Sequence, residues 1–298
     1  MNKLFCVNAA KYDDSKHFEV FWPASLDNPK DNAVMFVNDK NIHRLNRLNL
    51  LKNCIVFVPR GSSLPGYVKN YNVIIETDDP RTSYCLFFKD NEIRYLPKKE
   101  KCRSVDGALI AESATIGDGT VVMPFAYVGG EVSVGKNCYI GSGTKLMGRI
   151  SIGDNVIIRE NTVIGANGLS TDRDTKGKAA TMPQFGSVII ENDVQVGANC
   201  VIARGAIDST IIKRGSKIDN STFISHNVTL GEDTFIVGET IMFGGSSTGE
   251  RVFISGNSTI RNKVSIGDNA FIGMGSVVTK EVKAGEVVLG NPAHKKED

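Results

Sequence analysis

An aliphatic side chain recurs at every sixth position through most of the chain beyond residue 109. This beat comprises Ile110, Ile116, Val122, Val128, Val134, Ile140, Leu146, Ile152, Ile158 and Ile164, and then Ile212, Ile218, Ile224, Leu230, Ile236, Met242, Ile254, Ile260, Ile266, Ile272 and Val278, with Thr248 as its polar exception. A period of six fits neither an α-helix nor a plain strand. It is typical of a parallel β-helix built from hexapeptide repeats.

The residues between the beats indicate a three-sided prism. A small or β-branched residue stands two positions before each beat, as at Ala126 and Thr144. Because residues two apart on a strand point the same way, each short strand is predicted to direct two side chains inward. Glycine often follows the beat, as at Gly117 and Gly135, and we interpret it as the residue that permits a positive φ at a sharp corner. The coils must stack, because one coil cannot bury its own apolar face.

The repeats divide the chain into three regions. Residues 1–103 carry no hexads, and their alternation of strand-like and helix-like runs predicts a small N-terminal α/β domain that resembles a nucleotide-binding domain. Residues 104–290 are predicted to form the β-helix, and residues 291–298 a charged tail. The beat disappears between residues 165 and 188. Long excursions of this kind are usually functional, so we expect this loop to cover one edge of the prism.

Composition argues against several classes of protein. The 298 residues carry a formal net charge of +2, which does not favour a nucleic-acid partner. No apolar run approaches the length of about 18 residues that a transmembrane helix needs, and the N-terminus lacks a secretory apolar core. The six cysteines are scattered without a CxxC pair. We therefore expect a cytoplasmic protein with reduced, buried thiols.

One histidine lies within the body of the predicted prism. His226 follows the beat residue Ile224 by two positions, so it is expected at a corner, pointing outward. A neutral imidazole can accept a proton near pH 7. Asp219 and Asn220 precede it by about one hexad, and a neighbouring carboxylate can fix the tautomer of an imidazole. A corner histidine can equally be a solvated surface residue.

The central region carries a family resemblance. The run TVIGANG…MPQFGSVIIENDVQVGANCVIARGAIDSTIIKRGSKIDN…ISHNVTLGED resembles the UDP-3-O-acylglucosamine N-acyltransferases of lipid A biosynthesis. The match includes the excursion, a shortened repeat at 204–210, the KIDN element and the His–Asn pair. The segment DNAVMFVNDKNIHRLNRLNLLKNCIVFV is similar to the uridine-binding domain of that family. The resemblance implies left-handed coils, a homotrimer and active sites in the clefts between subunits.

The resemblance also assigns roles. It implies that His226 is the general base toward the sugar amine, that Asp219 and Asn220 support the site, and that the backbone N–H of Gly244 faces the carbonyl oxygen of the thioester. The residues expected to bind the acceptor are Asn38, Gln184, Phe185 and Asn227.

The C-terminal part departs from that family. Lys263 stands where the family has a second histidine, and Ile42 stands where it has an aromatic residue that stacks on uracil. The carrier-binding helices of the family have no counterpart, and the ending SIGDNAFIGMGSVVTKEVKAGEVVLGNPA resembles CoA-dependent sugar acetyltransferases instead. The residues expected to bind the donor are Gly256, Arg261, Lys263, Met274, Lys280, Asn291 and Pro292.

Together these features predict an N-acyltransferase for lipopolysaccharide or another surface glycan. The donor is expected to be acyl-CoA or the phosphopantetheine of an acyl carrier protein, used as a co-substrate. No tightly bound cofactor is expected. The acceptor is expected to be the amino group of a nucleotide-linked sugar. Two alternatives stay open: an O-acetyltransferase that uses acetyl-CoA, and a non-catalytic scaffold that binds nucleotide sugars. Zinc chemistry of the γ-carbonic anhydrase type needs three convergent imidazoles. Because only His226 lies in the body of the predicted prism, no metal site is predicted.

Overall fold

The computed structural model describes residues 3–94, 99–174 and 176–296. The chain forms two compact units, one of Met1–Leu96 with Leu169–Phe185 and the other of Pro97–Gly168 with Gly186–Asp298. This division differs from the expected domain organisation, because most of the excursion belongs to the first unit. Within that unit Arg81 donates to Asp172 at 2.6 Å, and this ion pair ties the excursion to the helix that carries Arg81.

The second unit is a left-handed parallel β-helix with three faces. Face 1 consists of Cys102–Val105, Ala108–Ala111, Tyr127–Val128, Lys145–Leu146, Val163–Ala166, Val201–Ala203, Phe223–Ile224, Ile241–Met242, Thr259–Ile260 and Val277–Val278. Face 2 consists of Thr115–Ile116, Val132–Val134, Ile150–Ile152, Val188–Ile190, Thr210–Ile212, Thr229–Leu230, Ser247–Thr248 and Ser265–Ile266. Face 3 consists of Val121–Val122, Tyr139–Ile140, Ile157–Ile158, Gln195–Val196, Lys217–Ile218, Phe235–Ile236, Phe253–Ile254, Phe271–Ile272, Val287–Leu289 and His294–Lys295.

The predicted core and the hexad period are confirmed. Tyr127 pairs with Lys145 and Val128 with Leu146 in a parallel register, so three hexads complete one coil. The beat residues Leu146, Ile164 and Ile224 are fully buried in one continuous apolar column. Each beat residue points inward, and the residue one position before it points outward. The residue before the beat therefore forms the exposed surface of each face.

Inward-pointing hydroxyl groups are accommodated by hydrogen bonds to the backbone of neighbouring coils. Thr144 donates to the Arg159 carbonyl at 2.9 Å, and Thr162 donates to the Gly197 carbonyl at 2.7 Å. Thr248, the polar member of the beat, is buried and its Oγ1 accepts from the Gly231 N–H at 2.9 Å. Burial of a polar group costs little folding free energy when the group keeps a hydrogen-bond partner. These hydrogen bonds therefore allow hydroxyl groups inside the apolar column.

The expected reason for the corner glycines is wrong at Gly117 and Gly135. Gly117 and Gly135 are not in the positive-φ region. A β-carbon on Gly117 would instead lie 2.5 Å from the carbonyl carbon and oxygen of Gly135, so glycine is required by the close approach of the next coil. Positive φ occurs two positions after such a glycine, for example at Asn137 (54°) and Asn155 (58°). Asparagine tolerates this conformation better than most residues with a side chain.

The first unit confirms the small α/β domain. Its strands are an antiparallel pair, Val7–Asn8 and Glu19–Val20, a parallel sheet in the order Trp22–Pro23, Ala33–Phe36, Ile55–Pro59 and Val73–Thr77, and an antiparallel hairpin, Thr171–Arg173 and Ala179–Thr181. Its helices are the 3-10 segments Ala9–Lys11 and Asp39–Leu48 and the α-helices Gly66–Tyr71 and Pro80–Asp90. Asp79 caps the last of these through the Thr82 N–H at 3.0 Å.

The predicted tail, residues 291–298, is partly ordered structure. His294–Lys295 pairs antiparallel with Val287–Leu289 and extends face 3. Residues 297 and 298 lie outside the described residues.

Candidate functional site

Two corners of the β-helix carry most of the residues singled out in the sequence. The histidine corner follows the strands of face 1 and comprises residues 166–168, 225–227, 243–245, 261–263 and 280. The carboxylate corner follows the strands of face 3 and comprises residues 219–220, 237–238, 255–256, 273–274 and 290–293. The two corners lie on opposite edges of face 1. Asp219 therefore does not stand beside His226 within one protomer, as the sequence had suggested it could.

The imidazole of His226 lies between the backbones of two glycines. A β-carbon built on Gly244 would be 2.6 Å from both Cε1 and Nε2 of the ring. A β-carbon on Gly168 would be 3.0 Å from Cβ and Cδ2 of the same histidine. The ring is half-buried. It is thus held edge-on against Gly244, and a side chain at either glycine would displace it.

Asn227 links His226 to the shortened repeat. The Asn227 Oδ1 lies 3.0 Å from the Nδ1 of His226 and accepts from the Ala206 N–H at 2.9 Å. The Asn227 N–H donates to the Thr210 Oγ1 at 2.9 Å, and the residue has a φ of 59°. The side chain predicted to bind the acceptor is therefore already occupied by contacts within the protein.

The shortened repeat also holds the point where the excursion leaves the prism. The Arg204 N–H donates to the Ala166 carbonyl at 3.0 Å, and the Arg204 Nε donates to the Asn167 Oδ1 at 2.8 Å. Arg204 is only 2% exposed. These contacts place Gly168 against the histidine. Neither Gly168 nor Ala206 was predicted, since only the irregular spacing between Ile202 and Ile212 signalled this region.

The backbone around Gly244 has one uncommitted donor. The Gly245 N–H donates to the His226 carbonyl at 2.9 Å, and the Lys263 N–H donates to the Gly244 carbonyl at 3.1 Å. Across the described ranges of the chain, no residue accepts a hydrogen bond from the Gly244 N–H itself. A free N–H beside an imidazole can stabilise an oxyanion that forms there.

The carboxylate corner borders a groove on face 3. The groove has a volume of about 660 Å³, and its lining includes Arg159, Lys217, Asp219, Asn220 and Phe235. The Asp219 Oδ2 accepts from the Gly238 N–H at 3.2 Å, and the Asn220 Oδ1 accepts from the Ala198 N–H at 2.7 Å. Both side chains thus hold neighbouring coils together as well as facing the groove.

The predicted donor-binding residues are divided between the corners. Those at the histidine corner are Arg261, Lys263 and Lys280, and those at the carboxylate corner are Gly256, Met274, Asn291 and Pro292. Met274 is 81% exposed. Gly256 lies close to the coil below, since a β-carbon there would be 3.2 Å from the Gly238 carbonyl oxygen.

The remaining predicted acceptor residues lie in the first unit. Phe185 is buried against Phe5 and Phe88, with ring centroids 5.9 and 5.3 Å away, which conflicts with a direct contact to a ligand. Gln184 is also buried, and its Nε2 donates to the Met182 carbonyl at 3.1 Å. Asn38 is half-buried immediately before the 3-10 helix Asp39–Leu48.

Other possible sites contribute little. Within residues 3–94, 99–174 and 176–296, no three metal-ligating side chains of His, Cys, Asp or Glu come together. Burial raises the pKa of the Cys54 thiol to about 12 and that of the Cys85 thiol to about 11, so neither is a ready nucleophile. No helix in the described part of the chain is long and apolar enough to cross a membrane.

Comparisons with known proteins agree with this architecture. The family model for the bacterial transferase hexapeptide (six repeats) matches residues 113–148 and 245–280. The model for the hexapeptide repeat of succinyl-transferase matches residues 131–167 and 187–225. Fold and site therefore define a hexapeptide-repeat protein of the left-handed β-helix class.

Within this class, part of the chain is similar to UDP-3-O-acylglucosamine N-acyltransferases. It is 48% identical over 75 residues to the UDP-3-O-acylglucosamine N-acyltransferase of Francisella tularensis subsp. holarctica and 49% identical over 75 residues to that of Coxiella burnetii. These alignments cover 25% of this chain and 22% of each relative. The chain thus spans about a fifth of the length of the curated relatives it matches.

Solved structures support the fold. The UDP-N-acetylglucosamine acyltransferase from Campylobacter jejuni superposes with a TM-score of 0.57 at 20% identity, over 64% of this chain and 73% of the other. The Arabidopsis UDP-N-acetylglucosamine acyltransferase superposes with a TM-score of 0.51 at 25% identity, over 64% and 72% of the two chains.

Proposed function

We propose that this protein is an N-acyltransferase that moves an acyl group from a thioester to the amino group of a nucleotide-linked sugar. The observation that carries the proposal is the half-buried imidazole of His226, whose Nε2 edge lies against Gly244. An accessible base next to a free backbone N–H is the pair of groups that acyl transfer requires.

The reaction uses these two groups in sequence. The amine nitrogen attacks the thioester carbonyl carbon, and the new C–N bond forms as the carbonyl oxygen gains negative charge. The Gly244 N–H stabilises that oxyanion, while His226 Nε2 accepts the proton that the amine loses. Collapse of the intermediate breaks the C–S bond, and the imidazolium returns its proton to the departing thiolate. The products are an amide and a free thiol.

A second protomer is part of the proposed site. Outward residues on face 1, such as Val201 and Phe223, and on face 3, such as Phe235 and Phe253, are apolar, whereas those on face 2 are mostly Ser and Thr. Two different apolar faces favour a head-to-tail contact that closes into a ring, here a trimer. Such a contact sets the face 3 groove, which Asp219 borders, opposite the partner's face 1 and its histidine corner.

The positions proposed for the donor and the acceptor follow from the cationic side chains at the histidine corner and in the face 3 groove. The cationic side chains of Arg261, Lys263 and Lys280 at the histidine corner suit the phosphates of acyl-CoA or of a carrier-bound phosphopantetheine. The nucleotide sugar then approaches from the groove that contains Arg159 and Lys217. The relatives named above are called acyltransferases of UDP-linked sugars, which supports a nucleotide-linked acceptor for this chain.

Turnover measurements test this proposal. The protein is incubated with UDP-, dTDP- or GDP-linked amino sugars and with acetyl-CoA or a 3-hydroxyacyl carrier protein thioester, and thiol release is followed. The matched control is the same sugar with a hydroxyl in place of the amine. We expect amine-dependent thiol release and a product that resists hydroxylamine, since an amide survives that reagent. A hydroxylamine-sensitive product indicates O-acylation, and ligand-induced stabilisation without turnover indicates a binding scaffold.

A further inference from the structure

The carbonyl group that precedes the Gly244 N–H is held by one serine. The Ser246 hydroxyl donates to the Phe243 carbonyl oxygen at 2.7 Å, and the Ser246 N–H donates to the same oxygen at 3.2 Å. Ser246 is fully buried, so its hydroxyl is shielded from bulk solvent. A short hydrogen bond from a buried hydroxyl constrains the orientation of the carbonyl that accepts it.

The orientation of this carbonyl determines where the Gly244 N–H points. The peptide bond between Phe243 and Gly244 is trans. The C=O and N–H groups of a trans peptide lie in one plane and point in opposite directions. Because the Phe243 oxygen is turned toward Ser246, the Gly244 N–H points away from the turn 243–246. A rotation of this peptide group into the turn would break both hydrogen bonds from Ser246.

The peptide group on the other side of Gly244 is also fixed. The Gly244 carbonyl oxygen accepts from the Lys263 N–H at 3.1 Å, and the Gly245 N–H donates to the His226 carbonyl at 2.9 Å. Two adjacent glycines have wide conformational freedom, so hydrogen bonds rather than side-chain sterics hold this segment. Among the polar groups of these two peptide units, the Gly244 N–H alone lacks a partner within the described residues.

Ser246 differs from the residues in the same register of the neighbouring coils. The residue two positions before the beat of face 2 is Val228 in the preceding coil and Val264 in the following coil. Both valines are buried in the apolar column, and neither side chain can donate a hydrogen bond. A buried hydroxyl thus replaces an aliphatic side chain in the coil whose corner carries the uncommitted Gly244 N–H.

We infer that Ser246 is a positioning residue for the oxyanion: through the Phe243 carbonyl it keeps the Gly244 N–H turned toward the reacting thioester. The inference rests on the proposed function, because that reaction uses the Gly244 N–H as its donor. Hydrogen bonds to the oxygen of a peptide group also polarise the group, and its N–H becomes a stronger donor. Ser246 thus orients and strengthens this donor without touching either substrate, and the developing oxyanion is stabilised.

The first test needs no turnover. The sequence contains two Phe–Gly pairs, Phe185–Gly186 and Phe243–Gly244. The full-length protein, labelled with ¹³C-carbonyl phenylalanine and ¹⁵N-glycine, therefore gives two correlated NMR signals, and Phe243→Leu identifies the second. We expect Ser246→Ala to move the Phe243–Gly244 signal, with the carbonyl ¹³C at lower chemical shift, because the carbonyl loses a hydrogen bond. The Phe185–Gly186 signal should stay in place.

The second test separates positioning from packing. Ser246→Ala is expected to lower kcat by about 10-fold with little change in KM for the amino sugar, because the loss is felt mainly in the transition state. Ser246→Thr keeps the hydroxyl and should restore kcat to within about threefold of the wild type. Thr222 shows that threonine can form this bond, since its hydroxyl donates to the Asp219 carbonyl at 2.9 Å. Ser246→Val has the shape of threonine without the hydroxyl, and its kcat should remain low.

Ser216 provides the matched control. It is fully buried, and its hydroxyl donates to the Gly231 carbonyl at 2.8 Å, but it lies at the corner that follows face 2, away from both described corners. Ser216→Ala should lower the melting temperature about as much as Ser246→Ala does, and kcat should not change.

Two results overturn the inference. One is a Phe243–Gly244 signal that does not move in Ser246→Ala, and the other is a kcat in Ser246→Ala no lower than in Ser216→Ala. Equal kcat values in Ser246→Thr and Ser246→Val also overturn it, because these variants differ only in the hydroxyl. A signal that moves as expected, without turnover of any amino sugar by the wild type, overturns the proposed function and leaves the orientation of the peptide group intact.

Discussion

At the residue scale, the site depends on two positions that have no side chain. Gly168 and Gly244 face His226 from either side, and a β-carbon at either one would contact the ring. Side chains fill the interior of a folded protein closely, so an added methyl group finds no free volume unless its neighbours move. The orientation of the base is therefore fixed by glycine as well as by the hydrogen bond to Asn227.

Gly244→Ala tests this arrangement. The added methyl group would press on Cε1 and Nε2 at 2.6 Å, so the ring must turn away from its productive position. We expect kcat to fall by about 100-fold with a small change in melting temperature. Gly66→Ala is the control, because a β-carbon there meets nothing within 4 Å. Unchanged kcat in Gly244→Ala would show that the ring does not act from this position.

Thiol reactivity tests the burial of the cysteines. Cys54, Cys85, Cys138 and Cys200 are buried, and burial raises the pKa of each thiol, to about 12 for Cys54 and about 11 for Cys85. Only the thiolate reacts, so these groups should be silent at pH 8. With Ellman's reagent we expect reaction of the native protein only at the exposed Cys6 and the half-buried Cys102, and reaction of all six after denaturation. The reaction of Cys6 should be slowed, because its hydrogen bond to Glu19 raises the pKa of the thiol. Fast reaction of four or more native thiols would contradict the packing.

Single residues show where the sequence was and was not sufficient. His226 could be placed at a corner because its distance from Ile224 is fixed by the period. Gly168 and Ala206 could not be found, because their contacts close across an excursion and a shortened repeat that have no period. Asp219 was associated with His226 from proximity in sequence, but one face of the prism separates them.

At the element scale, periodicity describes which side chains point inward but not what each corner requires. The beat predicted the three faces and their core correctly. It did not reveal that glycine follows the beat because the next coil approaches closely, as at Gly117. It also did not predict the helix Gly66–Tyr71 or the 3-10 character of Asp39–Leu48, where local composition is the only signal.

The stability of the variant Thr248→Val shows whether the hexad pattern or the hydrogen bonding of the structure decides which residue is favoured at position 248. Valine restores an aliphatic residue of similar size, and the period alone predicts a gain in stability. The structure predicts a loss of about 1–3 kcal/mol, because the buried Gly231 N–H would lose its acceptor. Thr229→Val on the outer surface of face 2 is the control, and urea unfolding is the measurement. A variant Thr248→Val that is as stable as the wild type would contradict a stabilising role of the hydrogen bond between the Thr248 hydroxyl and the Gly231 N–H.

At the scale of the whole molecule, the proposed site joins two corners from different protomers. Complementation tests this directly. His226→Ala and Asp219→Ala are each expected to be inactive alone. In trimers assembled from a mixture of the two, some sites combine an intact histidine corner with an intact carboxylate corner, and roughly a quarter of wild-type activity should return. Absence of recovery, with mixed trimers demonstrated by mass, would place both residues in one protomer's site.

The proposed reaction requires the His226 imidazole to remove the proton of an attacking amine. The most direct measurement is single-turnover acylation of the amino-sugar acceptor by the wild type and by His226→Ala, at matched trimer content and melting temperature. We expect a rate at least about 100-fold lower in the variant, with acceptor affinity retained. Equal rates for the two proteins would contradict it.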